Sequence, residues 1–177
     1  MLADTHMADI LQQLMDYLMS NQADPATYLF IFFLFCIAAS IILPIPIEIA
    51  LIWNPSVFFP IKALVMGLGK GAGAVAVFYI GARAEIAVLR FSKWGWFKWL
   101  LDKSEAFVKM YGIFAMYIIM SIPGMVDTIP LYLFSIFNKR GTTIKLRDFA
   151  LANVLAGINR AFLIYAIIEL LGLNWFG

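Results

Sequence analysis

The sequence predicts an all-α integral membrane protein: an inverted repeat of a re-entrant helical hairpin plus a transmembrane helix, led by an N-terminal interfacial amphipathic helix. Three observations carry that prediction. Only 14% of residues are charged while 63% are hydrophobic, whereas soluble domains carry about 25% charge, so polar surface is too scarce to coat a soluble particle. Prolines interrupt the long apolar runs at corresponding places in two halves of the chain. Ten of the 13 basic residues fall in two segments, 83–109 and 138–148. A mean hydropathy of +0.89 and a length of 177 residues suit one transmembrane domain over 27–177, with 1–26 as an amphipathic helix and linker.

Within residues 7–20, Ile10, Leu11, Leu14, Tyr17 and Leu18 share one helical face, and Asp9, Gln12, Gln13 and Asp16 share the other. This segment is too polar to span and reads as an interfacial helix. No cationic region precedes the first apolar run, so a signal peptide is not expected. Asp24-Pro25 then supplies a helix start, with aspartate as cap and proline at the first position.

Residues 27–43 are continuously apolar. As helix they would rise about 26 Å, less than the roughly 30 Å of bilayer hydrocarbon. Pro44 and Pro46 break the run, and the return limb 47–53 ends at Asn54-Pro55. That limb is too short to cross, so 27–59 is predicted to be a re-entrant hairpin. A glycine-rich transmembrane helix follows over 60–83. The basic, tryptophan-rich stretch 90–104 reads as interfacial, anchored by Trp94, Trp96 and Trp99.

The second half repeats the plan. An apolar limb over 106–121 breaks at Pro123, Gly124 and Pro130, with Asp127 inside the break, and a short apolar return follows. This predicts a second hairpin over 105–138, and the last transmembrane helix over 148–171. Paired breaks at matching positions of two halves point to an inverted-repeat transporter site. Non-helical backbone at membrane depth is tolerated where it lines a protected cavity.

Six basic residues lie in 83–109 (Arg83, Arg90, Lys93, Lys98, Lys103, Lys109) and four in 138–148 (Lys139, Arg140, Lys145, Arg147), while 1–26 and 170–177 carry none. The positive-inside rule places both basic loops in the cytoplasm and both termini outside. The two halves then have opposite orientation. Six short spans would satisfy the same bias; the short return limbs favour re-entry.

Glu48, Lys70, Asp127 and Arg160 lie far from any predicted interface, one acid and one base in each half. An ionised residue at a helix centre in lipid costs about 2.5–3.5 kcal/mol on the insertion scale, so the four are expected to face protein or water. One reading makes them structural ion pairs joining the halves. The sharper reading makes Glu48 and Asp127 proton- or cation-coupling groups and Lys70 and Arg160 a site for an anionic headgroup, Arg160 by a bidentate grip and Lys70 as a point charge. A carboxylate alternating between a dry state and a cation-paired state would bind and release a proton. Tyr79, Asn153 and Asn159 are candidate polar lining, although an Asn or Tyr within a helix more often bonds its neighbours.

Gly67, Gly69, Gly71 and Gly73 are no phosphate loop: Gly71 follows Lys70 where Ser or Thr would be needed, and no strand precedes them. Their spacing marks close helix packing. His6 and the lone Cys36 offer no ligand set or disulfide, so no metal, cofactor or enzymatic activity is expected.

Three motifs in this order resemble the DedA family of the VTT (SNARE-associated, TVP38-like) superfamily: LPIPIE (43–48), YIGAR (79–83) closing a glycine-rich span, and YG…SIPGMVDTIPLY (111–132). The likeness runs from about residue 28 to 170. Two positions depart from it. Gly73-Ala74 stand where the family carries an aspartate, and Met120 and Val126 where it carries arginines around the second break, which leaves Lys70 and Arg160 as the candidate cations. The resemblance implies two facing re-entrant hairpins and movement of lipids between leaflets. In bacteria this is polyprenyl-phosphate recycling that depends on the proton gradient; the eukaryotic relatives scramble phospholipids. The expected function is a lipid flippase or scramblase whose partners are membrane lipids with anionic headgroups. No nucleic acid is expected, and the glycine-lined surfaces permit a homodimer. The alternatives are an ion-coupled small-solute transporter or channel, and a non-transporting membrane assembly protein.

Overall fold

The computed structural model describes residue 13 and residues 24–42, 46–91, 110–137 and 144–172, with 82–91 and 137 described by backbone alone. Apart from residue 13 the predicted N-terminal helix lies outside these residues, as do Pro44 and residues 92–104 of the predicted interfacial segment 90–104. Among the described residues the secondary structure is helical. Helix α1 is Pro25–Ile41, a 3-10 turn spans Ile47–Ile52, and α2 is Phe59–Phe91. Helix α3 is Met110–Ser121, α4 is Thr128–Phe137 and α5 is Leu146–Leu170. Two stretches, Phe59–Gly81 and Leu146–Leu170, are long and apolar enough to cross a membrane.

The start of α1 is as expected: Pro25 stands at its first position and the Asp24 carboxylate accepts from the Thr27 N–H at 3.2 Å. Helix α2 runs on to Phe91, past the boundary at 83 read from the sequence. Charged residues such as Arg83 do not stop a helix, and residues 82–91 contain no glycine or proline. Pro130, read as part of the second break, instead sits in the first turn of α4, where a missing N–H costs nothing. The first return limb is a 3-10 turn, whereas the second is α-helical.

Helix α2 is the axis of the fold, and its glycines explain how closely it is packed. Gly67 and Gly71 face α5, while Gly69 and Gly73, about 200° around the helix, face α1. A Cβ at Gly67 would lie 2.7 Å from the Val154 carbonyl oxygen, and one at Gly69 2.6 Å from Cys36 Cβ. Farther along, Gly81 abuts Ser135 of α4, whose hydroxyl donates to the Val77 carbonyl at 3.0 Å.

Apolar burial divides into two clusters. One joins α1, the 3-10 turn, the first half of α2 and the second half of α5; the other joins the second half of α2 with α3, α4 and the first half of α5. The outward surface is also apolar: Phe30 and Leu34 on α1, Leu64 and Leu68 on α2, Phe114 and Ile118 on α3, and Leu151 and Leu155 on α5 are all exposed. Each pair is four residues apart, so each helix presents an apolar stripe outward. Lys62, Lys70, Asp127 and Arg160, by contrast, are buried.

Candidate functional site

The site forms where the two apolar clusters meet. Lys70 stands at the midpoint of the stretch Phe59–Gly81, between Met66 of one cluster and Ala74 of the other. Arg160 occupies the matching place on α5, between Ala156 and Ala161. Both are buried, at 1% and 0% exposure. Gly157 makes room for the lysine, since a Cβ there would lie 3.0 Å from Lys70 Cδ.

Each acid arrives on a break. Glu48 lies in the first turn of the 3-10 segment, and Asp127 immediately precedes α4, its carbonyl accepting from the Leu131 N–H at 3.1 Å. Arg160 Nη1 meets Asp127 Oδ1 at 2.6 Å, and Arg160 Nη2 pairs with Glu48 Oε1. Lys70 Nζ lies 3.1 Å from each Asp127 oxygen. The four expected charges therefore form one cluster of two acids and two bases, formally neutral when all are ionised. A buried pair is costly unless its remaining valences are also satisfied, and most are. Lys70 also donates to the Met120 carbonyl at 3.2 Å, and Arg160 to the Met125 carbonyl. The Gly124 N–H donates to Glu48 Oε1 at 3.1 Å. Glu48 Oε2 and Arg160 Nε are buried without a hydrogen-bond partner among the described residues.

The cluster thus ties the two breaks together. The second break turns at Gly124, whose φ of 74° lies in the left-handed region that a side chain disfavours. Across the halves, the Thr128 hydroxyl donates to the Ala39 carbonyl at 2.9 Å and the Tyr132 hydroxyl to that of Ile41 at 3.2 Å. These bonds satisfy carbonyls that the end of α1 leaves without helical partners.

Three predicted lining residues are not brought to the cluster. Tyr79 is exposed and stacks edge-on against Phe78, ring centroids 6.0 Å apart; nine residues from Lys70 is a rotation of about 180°, which puts it on the opposite face. Asn153 shares Arg160's face but lies two turns away, donating to the Phe149 carbonyl at 2.9 Å and toward Met116 Sδ at 3.7 Å. Asn159 is half-buried, and among the described residues no hydrogen bond or ion pair joins it to the cluster. Pro46 flanks the 3-10 turn and Pro123 the Gly124 turn.

Sequence reasoning missed Lys62. It is 1% exposed and donates to the carbonyls of Leu51 at 3.1 Å and Trp53 at 2.7 Å. Its ammonium lies 5.6 Å from the centre of the Tyr28 ring, and the Tyr28 hydroxyl donates to the Ala50 carbonyl at 2.6 Å. One signal was available: a lysine in the first turn of an apolar helix, where the dipole disfavours a cation.

Among the described residues no group of three or more potential metal ligands occurs. Comparison with protein-family models, curated proteins and solved structures returns no significant match.

Proposed function

We propose that the chain is a multi-pass membrane lipid transporter, a flippase or scramblase for lipids with a phosphate-bearing headgroup such as polyprenyl phosphate or phospholipid. The observation that supports it best is the cluster of Glu48, Lys70, Asp127 and Arg160, which joins both breaks at mid-height of two long apolar helices. Intramembrane ionisable groups facing a bundle interior mark transport pathways by default.

In this reading each helix–break–helix unit is a re-entrant hairpin. Helix α1 has 17 residues, a rise of about 26 Å, short of the roughly 30 Å of hydrocarbon, and the return limbs are shorter still. The outward apolar stripes meet lipid, the basic loops are cytoplasmic and the termini lie outside. Arg160 and Lys70 leave the carboxylates to engage an arriving phosphate, and a released carboxylate takes up a proton, which couples movement to a proton gradient. The resemblance of residues 28–170 to the DedA family points the same way.

Reconstitution in vesicles with headgroup-labelled polyprenyl phosphate or phospholipid tests this. Wild-type protein moves label between leaflets, and Glu48→Gln, which keeps the shape but not the charge, abolishes movement without unfolding the protein. Full activity of Glu48→Gln, or solute or ion flux with no lipid movement, overturns the proposal.

A further inference from the structure

Lys62 has three features that disfavour it together. It is a cation, it is buried, and it occupies the positive end of α2's dipole, while no carboxylate pairs with it among the described residues. A lysine at the start of a membrane helix ordinarily extends its stem toward the interface. This one turns inward. What it meets is the end of the 3-10 turn, where carbonyl groups carry partial negative charge and that of Ala50 also accepts from the Trp53 N–H at 3.3 Å. Together with Tyr28 it takes the carbonyls of Ala50, Leu51 and Trp53. A 3-10 turn of six residues has little stability of its own, so these side chains hold it.

Glu48 sits on that turn and reaches the other half through Gly124 and Arg160. We propose that Lys62 is a positioning residue: by clamping the 3-10 turn it sets Glu48 against the second break. The inference rests on the transport reading only for its purpose, since the coupling itself is structural.

Hydrogen–deuterium exchange in phosphatidylglycerol–phosphatidylethanolamine nanodiscs tests it at Gly124, an amide that Lys62 does not touch. With Lys62→Met, exchange at Gly124 rises about tenfold, the effect of losing one hydrogen bond, while amides of α5 around Arg160 keep their protection. Glu48→Ala gives the same rise directly. Lys62→Arg, which retains a cation, restores protection. If Lys62→Met does not fold, Tyr28→Phe removes one of the three carbonyl bonds and raises Gly124 exchange by a smaller factor. Unchanged Gly124 exchange in whichever of these variants folds overturns the proposal. Loss of protection across α2 and α5 alike also overturns it, because Lys62 would then be a general stabiliser. The readout needs no cargo, so absence of lipid movement in wild-type vesicles counts against the transport reading alone.

Discussion

The two breaks correspond in sequence but are built from different chemistry. In the first, backbone carbonyls accept from neutral hydroxyls and one lysine: Thr128 and Tyr132 on Ala39 and Ile41, Tyr28 on Ala50, Lys62 on Leu51 and Trp53. In the second, the charged cluster itself supplies the donors, Lys70 to Met120 and Arg160 to Met125. The acids differ in the same sense. Asp127 is held by both bases through both oxygens and its side chain is 5% exposed; Glu48 uses one oxygen, leaves the other without a partner among the described residues, and its side chain is 11% exposed. Two breaks of similar sequence pattern thus hold one acid tightly and one lightly. On the proposed transport reading Glu48 is the exchangeable group, the first to give up its base, and Asp127 the anchor, the last to be released.

Removing the shared base tests this most severely. Arg160→Met strips Glu48 of its base and Asp127 of one of two, and loss of one member of a buried charge network costs about 3–5 kcal/mol. Thermal unfolding in detergent should show the largest loss of any single substitution in the cluster. The acids should then separate. Asp127→Asn leaves Lys70 without a carboxylate and is expected to cost about 3 kcal/mol. Glu48→Gln retains an acceptor for the Gly124 N–H and is expected to cost about 1 kcal/mol. Equal losses for the two acids would remove the distinction between anchor and exchangeable group.

How much of this was legible in the sequence follows from the same physics. In so apolar a chain each interior charge stands out, so Glu48, Lys70, Asp127 and Arg160 were found and their burial was expected. Their partners were not assigned, because Arg160 meets Glu48 and Asp127 through tertiary packing that no local pattern encodes. The glycine run was read correctly as packing, since small residues recur at four-residue spacing; that it serves two neighbours follows from the two-residue offset between stripes. Tyr79 was misplaced because polarity was weighed without helical phase. Lys62 escaped notice because a lysine near the end of a span is ordinarily solvated, and only the fold shows carbonyls converging on it. The 3-10 form of residues 47–52 was also hidden: five apolar residues and one glutamate after proline are compatible with either helix, and the side-chain donors of α1 and α2 hold the tighter one.

The smallest expected effects bear on how each break is made. Gly124 has a φ of 74°, and a Cβ there would meet nothing within 4 Å, so Gly124→Ala should cost only backbone strain, about 1 kcal/mol. Pro46 has φ −66° and ψ 110°, an extended conformation that alanine adopts freely. Pro46→Ala should therefore cost about 0.5 kcal/mol, through added freedom of the unfolded chain, and leave the 3-10 turn in place because Tyr28 and Lys62 hold it. In this view the proline keeps α1 from continuing but does not shape the turn, whereas Gly124 shapes its turn directly. Chemical-denaturant midpoints for the two variants check the order. A Pro46→Ala loss exceeding that of Gly124→Ala would mean that proline geometry, and not the side-chain clamp, maintains the first break.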